Sequence, residues 1–389
     1  MNSDERRAAR RERREEERAR KKAERQKECT FEDIADLGNL HKAAKTAAKG
    51  VGWKASTQRY QKDILRNIVK ARQSLLNGED ICKGFIRFDL YERGKLRHIS
   101  SVHFSERVIH KSLSVNALVP AFTPTLIAAN SANQKDKGTH YAVKLMKRQL
   151  ADHYRRHGTE GYILQVDFSD YFGSIAHQPL KDQIDRTVVD RRVAGLTKHL
   201  IDVQGDVGLG LGSEPNQICA VSFPNEIDHL VTEMCGVEAY GRYMDDSYAI
   251  DVDKATLEIT LAVIRDRCAK LGITVNEKKT RIVKLTHGFT YLKKKFSYGP
   301  NGKIVVRPCR DSITRERRKL KKQKALYDQG LMTYEQVEQS YQSWRGGMKH
   351  LDAHKTLLSM DALFAQLFSN CNNGGGVGTI VMFPIRMAA

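Results

Sequence analysis

Three aspartates have the types and spacing of ligands for catalytic metal ions. Asp245 and Asp246 are adjacent within 240–250 (YGRYMDDSYAI), a segment that otherwise consists mainly of strand-forming residues. Asp is depleted in strands and neighbouring carboxylates repel, so the pair predicts a hairpin turn at which divalent cations neutralise the acids. Asp167 follows the apolar run 161–166 and can supply a third carboxylate. The sequence therefore predicts phosphoryl transfer with two Mg²⁺ ions, against the alternative of a merely solvated turn.

Apolar strands and amphipathic helices alternate around these acids and predict how they are positioned. The run 161–166 (GYILQV) is typical of a buried strand, and 239–252 of a strand, a turn and a second strand. A helix should follow directly, and another should cover 105–119 and stop at Pro120. A hairpin is predicted over 85–99, with its turn at 92–94. The helix expected after residue 252 is predicted by a stripe of apolar residues along one face, which are Leu257, Leu261, Ile264, Cys268 and Leu271.

The composition indicates a folded, basic protein. Of 389 residues 40% are hydrophobic, and 66 basic against 46 acidic residues give a formal net charge of +20. Such a surplus is expected of a surface that meets nucleic acid, although ribosomal or membrane-surface binding would also explain it. No apolar run approaches the roughly 20 residues of a membrane span. A soluble, cytoplasmic protein with no membrane partner is therefore expected.

The cysteines are scattered along the chain, with no C-x-x-C pair and no adjacent His–Cys cluster. This spacing argues against zinc and favours reduced thiols in a cytoplasmic protein. The seven are Cys29, Cys82, Cys219, Cys235, Cys268, Cys309 and Cys371.

The two ends of the chain differ from its centre. Residues 1–28 are almost wholly Arg, Lys, Glu and Ala without an apolar stripe, which predicts a solvated helix or a disordered arm, or an arm that docks RNA or a partner. Beyond 310 a basic helical hairpin is predicted, whose second helix opens with a capping box at 333–336. Residues 371–389 are expected to form a flexible tail. The basic residues of the first of these helices are Arg315, Arg317, Arg318, Lys319, Lys321, Lys322 and Lys324.

The acids lie in motifs of a known family. Residues 243–246 (YMDD) resemble the Y-x-D-D signature of reverse transcriptases, and 167–175 (DFSDYFGSI) resemble the first palm motif of these enzymes. The resemblance implies that Asp167 and Asp245 bind both metal ions and that Asp246 assists as the third catalytic carboxylate. It also implies that the main-chain carbonyl of Phe168 is a metal ligand.

The same resemblance implies a set of substrate and nucleic-acid contacts. Phe172 would exclude ribonucleotides, because a planar ring leaves no room for a 2′-hydroxyl. Arg97, followed by the basic Arg107, would grip the incoming triphosphate, and Lys279 would lie near the departing pyrophosphate. Substrate contacts are further assigned to Tyr243, Leu211 and Gln217. Primer or template contacts are assigned to Phe289, Tyr291, Leu292 and Trp344. Without the resemblance, each would be an ordinary core or surface residue.

A glycine-rich segment departs from the commonest family pattern. Residues 208–217 (GLGLGSEPNQ) have Leu211 where retroviral, retron and group II intron enzymes carry Gln, and Gln appears only at Gln217. The segment resembles the form in diversity-generating retroelements and in abortive-infection and defence-associated bacterial enzymes, with Asn216 replacing a Ser. Because an aliphatic side chain cannot make the polar contacts of Gln, we expect relaxed fidelity. The alternative is an ordinary flexible loop.

The resemblance covers roughly 85–355 and implies an α+β fold, the right-hand polymerase with fingers, an antiparallel-sheet palm flanked by helices, and a helical thumb. The expected boundaries are the charged arm at 1–28, fingers and the start of the palm at 29–160, palm at 161–296, thumb at 297–370 and tail at 371–389. No ribonuclease H, H-N-H nuclease or maturase zinc motif is evident.

The implied function is that of a prokaryotic RNA-directed DNA polymerase with two Mg²⁺ ions, acting in bacterial antiphage defence. Its expected partners are an RNA template, in particular a noncoding RNA, a DNA primer or product, deoxynucleoside triphosphates, and an accessory protein or a second copy of the chain. Three alternatives stay open. They are the error-prone enzyme of a diversity-generating retroelement, a template-independent or protein-primed nucleotidyltransferase (with Tyr91, Tyr141 or Tyr240 as primer), and a nonenzymatic RNA-binding scaffold.

Overall fold

The computed structural model describes residues 29–92 and 94–369, together with seven isolated positions between Ala9 and Glu24. The tail expected at 371–389 lies outside the described residues, as does almost all of the arm expected at 1–28. The described chain forms two compact units. The first extends to Gln149 and resumes over Gly161–Ile282, and the second comprises Leu150–Glu160 and the residues from Val283 onward.

From residue 29 on, the described part of the first unit begins with four helices and a β-hairpin. A capping box between Thr30 and Asp33 begins the first helix, and the apolar faces of the helices meet in the core at Ile34, Leu40 and Ile68. The hairpin strands pair antiparallel from Phe85–Val102 to Glu92–Lys95, which confirms the predicted hairpin. The elements are α1 (Phe31–Ala35), α2 (Leu37–Ala47), α3 (Ala55–Lys62), α4 (Ile64–Leu76), β1 (Phe85–Glu92) and β2 (Lys95–Val102).

The next helical segment does not stop where the sequence predicts. Helix α5 (Phe104–Leu113) passes into a π-helical turn (Ser114–Leu118) and then into α6 (Val119–Phe122). The prediction that Pro120 ends the helix is wrong. Pro120 lies at the start of α6 directly after the π turn, and the wider hydrogen bonding of that turn lets the helical path continue past a residue without an N–H.

A four-stranded sheet in the order β4–β5–β3–β6 forms the centre of the chain, and β5 pairs antiparallel with both β3 and β4. The strand predicted at 161–166 and the strand, turn and strand predicted at 239–252 are confirmed. So is the following helix, α13, which ends at Gly272 in a left-handed cap. The elements are α7 (Thr139–His157), β3 (Tyr162–Val166), α8 (Tyr171–Ser174), α9 (His177–Thr187), α10 (Arg191–Asp202), α11 (Glu214–Ser222), α12 (Asn225–Glu233), β4 (Ala239–Tyr243), β5 (Asp246–Asp251), α13 (Lys254–Leu271) and β6 (Arg281–Lys284).

The described residues of the second unit form the C-terminal part of α7, a three-stranded antiparallel sheet and three further helices. These three helices pack around Leu320, Tyr341 and Met360. The predicted capping box between Thr333 and Gln336 is present, and the predicted basic helix is α14, whose Arg and Lys side chains are mostly exposed. The elements are β7 (Phe289–Tyr291), β8 (Lys294–Tyr298), β9 (Ile304–Pro308), α14 (Arg310–Asp328), α15 (Tyr334–Met348) and α16 (His354–Phe368).

Helices and antiparallel strand pairs thus make up the described chain, so the predicted α+β class is confirmed. The boundaries assigned to fingers, palm, thumb, arm and tail remain predictions. Within the described residues, no helix is both long and apolar enough to cross a membrane.

Candidate active site

The turn between β4 and β5 presents two of the three acids. Only Met244 and Asp245 separate the paired residues Tyr243 and Asp246. Met244 has φ of 56°, a left-handed conformation that two-residue hairpins require in their loops and that costs a non-glycine residue roughly 1–2 kcal/mol. A strained turn held by its surroundings is typical of a functional site.

The third acid reaches the same edge of the sheet. Strand β3 pairs antiparallel with β5, and Val166 lies opposite Ser247. One step further along this register, Asp167 comes level with Asp246. All three acids are partly exposed rather than buried. The fold therefore brings Asp167, Asp245 and Asp246 together, although Asp167 is 78 positions before Asp245 in the sequence.

The segment after α13 supplies a cation to Asp167. Lys279 donates from Nζ to both carboxylate oxygens of Asp167, at 2.7 and 2.9 Å, and Asn276 donates from Nδ2 to Oδ1 at 3.1 Å. The hydrogen bond to Asp167 is the main cause that raises the pKa of Lys279, and the charges of Asp246 and Asp245 add to it. A positive charge is thus held against a cluster of acids that would otherwise repel one another.

The donor set fits a hard divalent cation. Carboxylate oxygens are the ligands that Mg²⁺ prefers, and Mg²⁺ binds through one or two of them with water and substrate phosphates completing the shell. The ammonium of Lys279 occupies the position of a counter-ion beside Asp167. Phe168, whose carbonyl is the further predicted ligand, has a buried ring and pairs through its backbone with Val275.

A buried ion pair beneath the turn holds it in place. Arg242 donates from Nε and Nη2 to the carboxylate of Asp228 at 2.7–2.9 Å, and both side chains are at most 1% exposed. Burial alone would lower the pKa of Arg242, but the adjacent carboxylate outweighs this and raises it. Nη1 of Arg242 also donates to the carbonyl oxygen of Met244 at 2.9 Å, and Tyr240 donates to Asp228. The guanidinium therefore fixes the residue that precedes Asp245.

The glycine-rich segment connects the first acidic motif to the hairpin β1–β2. Leu209 donates its N–H to the carbonyl of Phe172 at 2.7 Å, and Leu211 accepts from the N–H of Ser100 at 3.0 Å. Gly208 has φ of +87°, and a Cβ there would lie 2.7 Å from the carbonyl oxygen of Gly173. Only glycine permits both that conformation and that approach.

The side chains of Asn216 and Gln204 hydrogen-bond to each other and to this segment. Asn216 donates from Nδ2 to Oε1 of Gln204 and to the carbonyl of Gly210, each at 2.8 Å. Gln204 returns a bond from Nε2 to Oδ1 of Asn216 at 3.0 Å. A Ser at position 216 would be too short to span these partners, so Asn216 couples α11 to the end of α10 and to the loop.

A cleft of about 760 Å³ lies above these elements. It brings together Asp245, Lys279, Phe168, Phe172, Arg97 and Leu211 from the predicted set, and β-strand residues Arg87 and His98 also line it. The sequence did not single out Arg87 or His98. Alternate residues of a strand lie on the same face of a hairpin, and this pattern is the signal that would have placed Arg87 and His98 on one face.

Gln217 and Tyr243 lie elsewhere. Gln217 is exposed on α11 and lines a smaller cavity of about 260 Å³ with Arg107 and Lys111, while Tyr243 is half-buried at the end of β4. The residue that meets the glycine-rich loop is instead the neighbouring Asn216.

The predicted primer and template contacts belong to the second unit. Phe289 and Tyr291 are buried in β7, and Phe289 stacks on Phe296 with ring centroids 5.5 Å apart. Leu292 is in the turn after β7, with φ of 46°. Trp344 stacks on Tyr341 in the helical core.

Comparison with known proteins agrees with this geometry. The family model described as reverse transcriptase (RNA-dependent DNA polymerase) matches residues 83–296, more than half of the chain. The chain belongs to the reverse transcriptase family. That match spans all three acids and the glycine-rich loop, and ends within β8. No curated protein gives a significant match.

Similar solved structures include two of apo telomerase from Candida Tropicalis. One, truncated from its C-terminal domain, is 15% identical with a TM-score of 0.43, and the alignment covers 57% of this chain and 54% of that one. The other is 12% identical with a TM-score of 0.43, covering 56% and 47% respectively. The chain thus spans about half the length of these telomerase chains.

Arg242, Asp228 and Gln204 were missed by sequence reasoning. Arg242 carried a signal, because an Arg between strand residues beside paired acids is unusual. Asp228 and Gln204 carried none, since their importance arises only from the partners that the fold gives them.

Proposed function

We propose that this chain is an RNA-directed DNA polymerase that copies an RNA template into DNA by two-metal phosphoryl transfer. The observation that carries the proposal is the convergence of Asp167 with the β4–β5 turn at one edge of the central sheet. Membership of the reverse transcriptase family supports the same activity.

We assign different roles to the three acids. Asp167 and Asp245 would hold both Mg²⁺ ions, with Asp246 assisting and the carbonyl of Phe168 as a further ligand. When bound, such ions stabilise the charge on the attacking and leaving oxygens. Lys279 lies beside Asp167, and we assign to it the positive charge that meets the departing pyrophosphate.

Substrate selection belongs to the cleft. We assign the contact with the triphosphate to Arg97 and the exclusion of ribonucleotides to Phe172, with Leu211 beside the nascent base pair. The three line one cleft with Asp245. Tyr243 and Gln217 are also assigned substrate contacts, although neither lines that cleft.

For the second unit we assign primer contact to the β7–β8 turn. Phe289 and Tyr291 are buried, so they would support this turn, and Leu292 would make the contact from its tip. Trp344 is assigned to the template or primer strand through the helix that it anchors.

The biological setting we propose is bacterial antiphage defence with a noncoding RNA as template. A diversity-generating retroelement with an accessory protein is the second candidate, because the glycine-rich segment resembles the form in both groups, but Asn216 and the charged N-terminal segment are atypical of these elements. Protein priming has fewer candidates than the sequence suggested. Tyr240 is buried and bonded to Asp228, which leaves Tyr91 and Tyr141.

A primer-extension assay tests the activity. With an RNA template, a DNA primer, Mg²⁺ and deoxynucleotides, the wild type should extend the primer, and Asp245→Asn should lose activity because a metal-bound carboxylate becomes a neutral amide. Equal labelling by both proteins would refute the assigned site. Label attached to protein, and lost in Tyr91→Phe or Tyr141→Phe, would favour protein priming.

Fidelity tests the role of Leu211. We expect the wild type to misincorporate opposite template adenines more often than Leu211→Gln does, because glutamine adds a polar contact to the nascent pair. Sequencing of the products of both proteins measures this. Equal error rates would contradict the role given to Leu211, and Leu211→Met, which adds no strong donor, is the control.

A further inference from the structure

A cysteine, a histidine and an aspartate come together outside the catalytic cleft. Asp80 and Cys82 lie in the segment between α4 and β1, and His199 lies in the last turn of α10. None of the three lines the cleft that contains Asp245 and Lys279. Their donor atoms, a carboxylate oxygen, a thiol sulfur and an imidazole nitrogen, all lie within 4.8 Å of one another.

The distances suit a shared ion. Sγ of Cys82 is 3.7 Å from Nε2 of His199, and Nε2 is 2.9 Å from Oδ1 of Asp80. A tetrahedral Zn²⁺ ion at about 2.3 Å from sulfur and about 2.0–2.2 Å from nitrogen and oxygen keeps its ligands about 3–4 Å apart. An ion could therefore be bound with small side-chain adjustments and no rearrangement of the backbone.

The local backbone favours this arrangement. The N–H of Cys82 donates to Oδ1 of Asp80 at 2.9 Å, so the segment folds back and puts the thiol and the carboxylate on the same side. An ordinary ion pair between Asp80 and His199 would account for the contact of those two side chains. It does not account for the thiol of Cys82, which lies against the same imidazole nitrogen.

We propose that Asp80, Cys82 and His199 bind one Zn²⁺ ion, with water as the fourth ligand. Thiolate and imidazole favour zinc over magnesium, whereas Asp167, Asp245 and Asp246 favour magnesium, so the two sites select different metals. Binding requires the thiolate form, and the thiol proton is released to solvent. The proposal holds whether or not the chain is a polymerase.

The expectation that zinc is absent rested on sequence spacing. Cys82 and His199 are 117 positions apart, and no linear motif connects them. In the fold they join the segment that leads into hairpin β1–β2 to the helix that precedes the glycine-rich loop. A bound ion would cross-link these two elements and stabilise the native state, because the unfolded chain does not hold the ligands together.

Cobalt is the probe that tests the site. The full-length chain, stripped of metal with a chelator and held in excess Mg²⁺, is titrated with Co²⁺. We expect a thiolate-to-cobalt charge-transfer band in the near ultraviolet that saturates at one equivalent and disappears when Zn²⁺ is added. Carboxylates cannot produce this band, so Asp167, Asp245 and Asp246 do not interfere.

Matched variants assign the band. Cys82→Ser should abolish it, and His199→Ala should weaken cobalt binding by more than about tenfold. Cys235→Ser, which changes another half-buried cysteine, and Asp245→Asn should both retain it. Zn²⁺ should also raise the melting temperature of the wild type and of Cys235→Ser, but not that of Cys82→Ser.

Several results would overturn the proposal. These are the absence of a band in the wild type, a band that persists in Cys82→Ser, and unchanged cobalt affinity in His199→Ala. If circular dichroism shows that Cys82→Ser does not fold, the cobalt titration of Asp80→Asn and His199→Ala tests the site instead, since both variants keep the thiol. Unchanged cobalt affinity in both would overturn the proposal. Loss of polymerase activity plays no part in the result, so failure of the site and failure of the proposed function are distinguishable.

Discussion

At the scale of single residues, the contacts of Asp167 are the most informative feature of the site. Its carboxylate accepts from Lys279 and Asn276, both in the segment after α13. A lysine that holds the carboxylate competes with any cation for the same oxygens. In the proposed mechanism its ammonium would also meet the phosphate oxygens of the substrate, so the same side chain would have two measurable effects.

Replacement of Lys279 by Met separates these effects. We expect Mg²⁺ to half-saturate the enzyme at a lower concentration, because Asp167 loses its competing cation. The rate of nucleotide addition should fall by about 100-fold or more if Lys279 delivers a proton to the departing pyrophosphate. Single-turnover extension across a Mg²⁺ series measures both quantities.

Lys278 offers a matched control, since it is an exposed lysine one position away. Lys278→Met should leave both quantities close to those of the wild type. Identical changes in the two variants would indicate a general loss of positive charge. If Lys279→Met leaves both the Mg²⁺ requirement and the rate unchanged, Lys279 has no role in the reaction.

At the scale of elements, the β4–β5 hairpin depends on a buried charge pair. Arg242 has three acceptors, which are Asp228, the carbonyl of Val221 and the carbonyl of Met244. Each of the three guanidinium nitrogens therefore donates to a defined partner. A buried pair satisfied in this way is costly to break, because the remaining charge is left without compensation.

Arg242→Met should destabilise the protein by about 3–5 kcal/mol, since Asp228 stays charged and buried. Urea denaturation measures this loss. The double variant Arg242→Met/Asp228→Leu should recover part of it, because no charge is stranded, although the Tyr240 hydroxyl loses its acceptor.

Activity distinguishes stability from positioning in the same variants. The folded double variant should remain impaired in primer extension, because the carbonyl of Met244 has lost the donor that fixes the turn beside Asp245. Full activity in the double variant would show that the pair only stabilises the fold. Equal stability of the single and double variants would contradict the charge argument.

At the scale of the whole molecule, charge is the dominant property. The chain carries a formal net charge of +20, and α14 alone exposes six Arg and Lys side chains between Arg315 and Lys322. Surfaces of this kind bind a phosphate backbone by releasing its condensed counterions.

Affinity for nucleic acid should therefore fall steeply with salt. For an RNA–DNA duplex, we expect the logarithm of the association constant to fall linearly with the logarithm of the salt concentration, with a slope of roughly −0.9 per phosphate contact by analogy with DNA. Fluorescence anisotropy measures the slope. Changing Lys321 and Lys322 to Gln should reduce it, and affinity that is independent of salt would contradict a backbone-tracking surface.

Much of the fold followed from local patterns. The strand before Asp167, the β4–β5 hairpin and the apolar stripe of α13 depend on contiguous residues with a period of two or about 3.6. Pro120 shows where such reasoning fails, because a π turn in the partly buried segment before it lets the helical path continue.

The sequence by itself determined the three carboxylates, their order and the strands that carry them, because motif and periodicity are written in neighbouring residues. Only the tertiary structure decided their partners. Lys279 is 112 positions from Asp167, Asp228 is 14 from Arg242, and His199 is 117 from Cys82. Contacts of this kind arise from how elements pack, and no local pattern encodes them.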